Sequence, residues 1–185
     1  MVKTNIPDPA TILNNSKVLF DREQVNAAVQ KMADEINAHY DGRSIVLISV
    51  LTGAIIPAAW LATRLTMPVQ MDFVHATRYR GGLYGAELEY RVPPRLDLED
   101  REVLIVDDIF DEGHTLAAIK GSVEKRKARD VKMAALVRKD HDRGLPRDYV
   151  NFIGMDVPDV YVFGCGMDAY EEWRHLDKIL VLEEG

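Results

Sequence analysis

The chain has 185 residues, 47% of them hydrophobic and 29% charged, and a formal net charge of -7. That balance fits one globular domain with a sizeable core and excludes a disordered polyelectrolyte. The acidic charge argues against a nucleic-acid binder, which shows a basic face, and no apolar run approaches the ~20 residues that cross a membrane.

The first ten residues lack a basic stretch followed by an apolar one, so no signal peptide is expected. Cys165 is the single cysteine, which leaves no internal disulfide and agrees with a reducing cytoplasm. Asp21 and Gln24 form a capping-box pattern, and Val25, Ala28, Val29, Met32 and Ile36 follow at helical spacing up to Asp41-Gly42. Ser44–Leu51 is apolar on both faces, as in a buried parallel strand. Gly53 and Pro57 open a second helix through Arg64, and Val69–Ala76 reads as the next strand. Arg78–Pro94 is polar, with glycines at 81, 82 and 85, and reads as a long mobile loop with room for a loose hairpin. Val103–Val106 is a strand ending in Asp107-Asp108, Thr115–Lys127 a helix and Val131–Val137 a strand. The tail holds strands at Val150–Ile153 and Val160–Phe163, a short amphipathic segment, and Ile179–Leu182. No repeat, low-complexity tract or linker interrupts the chain, so residues 1–185 are expected to form one domain.

Strands alternating with helices predict an α/β fold with a largely parallel sheet covered on both faces. Ligands in such sheets bind beyond the carboxyl ends of the strands, here Leu51–Ala54, Asp107–Thr115 and Lys139–Arg143. The densest chemistry lies in the second. A buried strand runs into Asp107 and Asp108, then a short loop with Asp111 and Gly113, then a helix. Gly113 permits a tight turn, and the helix's first N–H groups, with Thr115 Oγ1, offer donors to one phosphate. Adjacent residues of a strand alternate sides, so Asp107 and Asp108 are expected to diverge and not both to be buried. Carboxylates accept from vicinal hydroxyls, so the segment describes a ribose 5-phosphate site.

Asp107–Thr115 resembles the phosphoribosyl pyrophosphate signature of the type I phosphoribosyltransferases, and nearly the whole chain resembles their hypoxanthine-guanine branch, least before Phe20. The resemblance implies a Rossmann-like parallel core sheet flanked by helices, with a small hood and a flexible lid loop. It implies purine salvage: transfer of phosphoribosyl to hypoxanthine or guanine, with Mg²⁺ as cofactor. By it, Asp107 and Asp108 hold the ribose hydroxyls, and Asp111 is the catalytic base or acceptor at the purine imidazole ring. Residues Asp111, Glu112, Gly113, His114 and Thr115 wrap the 5-phosphate. Glu112 and His114 depart from the family, which usually has Thr or Ser and often Lys or Arg there, so Glu112 is expected to turn its carboxylate away. Leu51, Thr52 and Gly53, with Arg174, would hold pyrophosphate, the loop often starting with a non-proline cis peptide. The family commonly has Lys where Thr52 stands. Arg78 and Tyr79 would be lid contacts. Lys139, or Arg138 one residue earlier, would donate to the exocyclic oxygen of a 6-oxopurine. Tyr161 would stack on the base, Val162 would offer backbone bonds to its edge, and Asp168 and Asp107 would hold Mg²⁺.

Gly164–Ala169 matches a loose dinucleotide fingerprint, but too little chain follows to complete that unit. The histidines at 39, 75, 114, 141 and 175 show no metal-ligand spacing. No partner among nucleic acids or membranes is expected, and the resemblance implies a cytoplasmic homodimer or homotetramer. Two alternatives remain: a xanthine-preferring phosphoribosyltransferase, and a regulator of the same fold that senses the sugar donor.

Overall fold

The computed structural model describes residues 7–78 and 88–183, without the side chains of residues 77, 78, 88 and 89. In chain order the elements are α1 (Pro9–Asn14), β1 (Ser16–Phe20), α2 (Arg22–Tyr40), β2 (Ile45–Leu51), α3 (Ile55–Ala62), β3 (Val69–Arg78) and β4 (Leu88–Val92). Then come β5 (Glu102–Phe110), α4 (His114–Glu124), β6 (Asp130–Asp140), a 3-10 turn at Arg147–Tyr149, β7 (Phe152–Pro158), β8 (Val162–Phe163) and β9 (Ile179–Leu182).

Among the described residues the main sheet has the order β4-β3-β2-β5-β6-β7. Its strands from β3 to β7 run parallel, and β4 is an antiparallel edge on β3. The doubly apolar strands explain the two cores. Ile45 and Leu47 of β2, with Leu104 and Val106 of β5, face α2 and α3. Val46, Ile48 and Val50, with Val103 and Ile105, face α4. Burying one such aliphatic side chain stabilises by about 1.5–3 kcal/mol, so each strand residue contributes on one side or the other. The capping box of Asp21 and Gln24 is present, and Asp41 ends α2 in the left-handed conformation.

A second, smaller sheet, β1-β9-β8, is antiparallel and packs its own core of Ile12, Phe163, Ala169 and Leu180. It is the hood. Its first strand and α1 lie in the segment whose pattern had pointed to no element.

Four segments differ from expectation in ways that matter for function. β5 does not stop at Val106 but carries Asp107 and Asp108 within the strand to Phe110, because β6 continues beside it through Phe110↔Arg138. The tail strand predicted at 150–153 runs instead over Phe152–Pro158, paired in parallel to β6. The segment between β8 and β9 forms no helix; turns with positive φ at Cys165, Tyr170, Glu171 and Trp173 replace the amphipathic segment. The predicted long loop is also shorter, since β3 extends to Arg78 and pairs with β4 from Leu88.

Candidate active site

All three predicted strand ends meet at one end of the main sheet. A cavity of about 700 Å³ opens there, walled by Leu51 and Gly53 after β2, by Asp107, Asp108 and Asp111 of the β5 end, and by the first residues of α4. A smaller cavity of about 190 Å³ adjoins it, walled by Lys139 of β6, Tyr161, Val162 and Asp168. Asp108, Ile109 and Asp111 belong to both walls.

The larger cavity is lined by glycines at two turns and by the acidic residues Asp107, Asp108, Asp111 and Glu112. Gly113 caps α4 with φ +77 and no side-chain cap bond, so no side chain at that position covers the helix's first N–H groups. A Cβ on Gly113 would also run into the ring of Phe110. Glu112, His114 and Thr115 line the same wall. The Glu112 carboxylate, expected to turn away, lies 3.8 Å from His114 Nε2, and both side chains are about half exposed, so solvent screens the pair. The Leu51–Thr52 peptide is cis, and Leu51 and Gly53 line the cavity where Thr52 does not. Gly53 carries no positive φ; its reason is contact, since a Cβ there would fall inside the carboxylate of Asp108. Gly166 in turn, at φ +107, leaves room for the Gly53 carbonyl. Gly166, one of the two glycines that mimicked a dinucleotide fingerprint, thus lets the hood turn press on the loop after β2.

Asp107 and Asp108, expected to diverge, face one cavity. The ladder between β2 and β5 ends at Ser49↔Val106, while that between β5 and β6 continues to Phe110. Beyond Val106 each carboxylate curls back on the backbone: Asp107 Oδ1 accepts from Asp108 N at 3.0 Å, and Asp108 Oδ1 from Ile109 N at 2.8 Å. Burial, then the adjacent Asp108 carboxyl, push the Asp107 pKa well above the ordinary carboxylate range. Burial raises that of Asp108 as well, against hydrogen bonds and the charge of Arg174.

The smaller cavity is built from side chains. Lys139 Nζ, largely buried, lies 3.3 Å from Asp111 Oδ2 and 3.8 Å from Asp159 Oδ1. Arg138, the other candidate, turns away toward β7 and grips Asp156 at 2.6 and 3.0 Å. Tyr161 is 46% exposed; its hydroxyl donates to the Asp168 carbonyl at 3.2 Å. Its ring stacks on Tyr170 at a centroid distance of 6.4 Å. Val162 is buried beside it. Arg174 pairs with Asp168 at 2.6 Å and donates to the Gly166 carbonyl. Asp168 and Asp107 lie in different cavities, with Asp108 common to both. Tyr79 lies outside the described residues, as does the side chain of Arg78. Burial pushes the Cys165 thiol up to about 12, so it is no nucleophile.

The residues missed by sequence reasoning are His141, Arg143, Asp159 and Tyr170. His141, Asp111 and Asp159 place ligand atoms within 4.8 Å of one another, a proximity that spacing along the chain had not signalled. This is an ion-pair network rather than a cation site: Lys139 lies 3.3 Å from Asp111, and Arg143 2.6 Å from Asp159, on the same carboxylates. The β5–β6 register, which ends at Phe110↔Arg138, brings the residues after each strand side by side.

A parallel sheet whose central strand end carries paired aspartates and an uncapped helix start, beside a second pocket, defines an α/β protein with its ligand site beyond the carboxyl ends of the strands. The family model of the phosphoribosyl transferase domain matches residues 16–172, and the chain belongs to that family. It is 31% identical to a hypoxanthine-guanine phosphoribosyltransferase of Streptococcus thermophilus, over 91% of this chain and 93% of the relative. It is 32% identical to the bifunctional protein TilS/HprT of Listeria innocua over 90% of this chain, but spans only 26% of that longer protein. The crystal structure of a hypoxanthine-guanine phosphoribosyltransferase from Bacillus anthracis superposes with a TM-score of 0.82 at 27% identity, covering 90% of this chain and 97% of the other.

Proposed function

We propose that the chain is a purine-salvage hypoxanthine-guanine phosphoribosyltransferase, converting hypoxanthine or guanine and phosphoribosyl pyrophosphate to IMP or GMP and pyrophosphate. One observation carries the reading: the two cavities share Asp108, Ile109 and Asp111, so a sugar donor in one and a flat base in the other would meet at a carboxylate. The relatives' names point to the same reaction.

In this reading the uncapped start of α4 takes the 5-phosphate, Asp107 and Asp108 accept from the ribose hydroxyls, and Leu51, Gly53 and Arg174 orient the pyrophosphate. Lys139 donates to the exocyclic oxygen of the base, Tyr161 lies against its face, and Val162 meets its edge. A ring nitrogen of the base attacks the anomeric carbon, the bond to pyrophosphate breaks, and the imidazole-ring proton passes to Asp111. Positioning and electrostatic stabilisation supply most of the acceleration. The oxygen-only donors Asp107 and Asp108 suit a hard cation, since a divalent charge relieves their mutual repulsion, and Asp168 stands at the adjoining wall. Mg²⁺ held there with the donor would supply neutralisation of the leaving pyrophosphate.

The same reading makes residues 1–185 one domain, supported by the pairing of β1 with β9 across the length of the chain. It makes the protein a cytoplasmic homodimer or homotetramer. Met71, Phe73 and Val92, exposed on the β3–β4 edge, support association, and no helix of the described residues is long and apolar enough to cross a membrane.

The test is a spectrophotometric assay with phosphoribosyl pyrophosphate and Mg²⁺, offered hypoxanthine, guanine, xanthine, adenine and uracil separately. Turnover of hypoxanthine or guanine, without adenine or uracil, supports the proposal. Preference for xanthine discards the base assignment, and donor binding without turnover of any base makes the chain a sensor.

A further inference from the structure

Asp111 is held from behind by a histidine that the reaction above does not use. The His141 side chain is 6% exposed where that of Asp111 is 42% exposed, and His141 Nε2 lies 2.6 Å from Asp111 Oδ1. The other ring nitrogen, Nδ1, accepts from the Arg143 backbone N–H at 3.2 Å. An imidazole nitrogen that accepts carries no proton, so the neutral ring keeps its proton on Nε2, directed at Asp111. The turn bearing both residues is tied down by Arg143, which holds Asp159 through two bonds of 2.6 and 2.9 Å.

The two oxygens of Asp111 are therefore held unequally. Oδ1 meets a buried, rigid ring. Oδ2 meets Lys139 Nζ at 3.3 Å, on a flexible side chain that also reaches Asp159. A base entering the smaller cavity draws Lys139 to its exocyclic oxygen and frees Oδ2, while Oδ1 stays bound.

We propose that His141 is a positioning residue for the reaction: its Nε2–H anchors Oδ1 of Asp111 so that Oδ2 faces the ring proton of the base when Lys139 swings away. The inference rests on reading Asp111 as the proton acceptor. His141 keeps its own proton throughout.

The test compares His141→Leu, His141→Asn and His141→Gln, with Asp111→Asn alone and combined with His141→Leu. The Gln amide reaches the place of Nε2, whereas the Asn amide stops short of it, so these two polar variants differ in reach alone. Each variant is checked by thermal unfolding. The readouts are kcat, KM for hypoxanthine, and calorimetric binding of phosphoribosyl pyrophosphate with Mg²⁺. The expected result is a fall in kcat of about 10- to 100-fold for Leu and Asn, with donor affinity unchanged within about twofold. Gln is expected to recover most of the loss, and His141→Leu to add little in the Asp111→Asn background, as for two residues acting through one group. A wild-type kcat in the Leu and Asn variants overturns the inference, as does a Gln variant no better than Asn, or an equal loss added to Asp111→Asn. Should Leu fail to fold, the Asn–Gln contrast decides alone. Full activity of Asp111→Asn itself overturns the reading of Asp111, a failure distinct from these.

Discussion

The two halves of the site solve recognition by opposite means. On the donor side, glycines let backbone and carboxylates approach: Gly113 starts α4 uncapped, and Gly53 and Gly166 permit the loop after β2 to touch Asp108 on one side and the hood on the other. On the base side, long side chains do the reading, and their charges are set by one another: Lys139, His141 and Arg143 against Asp111 and Asp159. A wall closed by glycines tolerates no added atom at those positions. A wall of paired side chains tolerates changes of shape yet depends on every partner. The halves should therefore fail differently when altered.

The sharpest break is a single methyl on the donor side. In Gly53→Ala the new Cβ would fall inside the Asp108 carboxylate, which must rotate out of the cavity. The expected outcome is donor affinity weaker by about 100-fold, roughly 2.7 kcal/mol, with base KM little changed. Gly121→Ala is the control: it lies in α4, a Cβ there meets nothing within 4 Å, and stability is expected to rise by about 0.5–1 kcal/mol without loss of activity. If Gly53→Ala binds the donor normally, the loop after β2 is not part of that cavity's function.

The same contrast governs what could be read from the sequence. Asp107, Asp108, Asp111 and Gly113 fall in one short run between a buried strand and a helix, so local patterning exposed them. Gly53 stood out only because it follows a doubly apolar strand. The base side is assembled from the ends of β5 and β6 and from the turn before β8, residues far apart in the chain, and the contacts that set Lys139 and His141 inward on Asp111 and Arg138 outward on Asp156 are all with residues distant in sequence. Asp107 and Asp108 both reach one cavity because it opens where the β2 ladder ends, after Val106, and so borders β5 on more than one side. The N-terminal α1 and β1 escaped notice because both are short, six and five residues, and their packing is against β8, β9 and the main core, all distant in the chain.

On the base side the break should be one of discrimination rather than of binding. Lys139→Met keeps length and removes the ammonium, leaving the exocyclic oxygen of a bound 6-oxopurine without its donor. A lost charged hydrogen bond costs about 1.5–3 kcal/mol, so kcat/KM for hypoxanthine is expected to fall at least roughly tenfold. The ratio of hypoxanthine to adenine turnover should fall with it, because an amino group no longer meets a rival donor. Donor affinity should hold. An unchanged ratio would move base selection elsewhere, with Val162 the next candidate.

The mildest prediction concerns the paired carboxyl groups of the donor side. Asp107 is pushed well above the usual carboxylate range by burial and then by Asp108, so the folded chain holds that proton more tightly than the unfolded one. Stability linked to such a group is fully present below the unfolded value, about 3.9, and is lost as pH rises through the folded value. Near pH 7 the ligand-free protein thus carries a penalty that Asp107→Asn removes, because the amide keeps the shape and drops one charge. The variant should unfold about 3 °C above the parent near neutral pH, and the gain should vanish as pH falls toward 4, where the parent is protonated. Binding of phosphoribosyl pyrophosphate with Mg²⁺ should weaken in the same variant, since the ribose and the cation lose an anionic acceptor. Equal melting at both pH values would mean that the pair is not in conflict. A higher melting point with unchanged donor binding would detach Asp107 from the donor and leave Asp108 to hold the ribose alone.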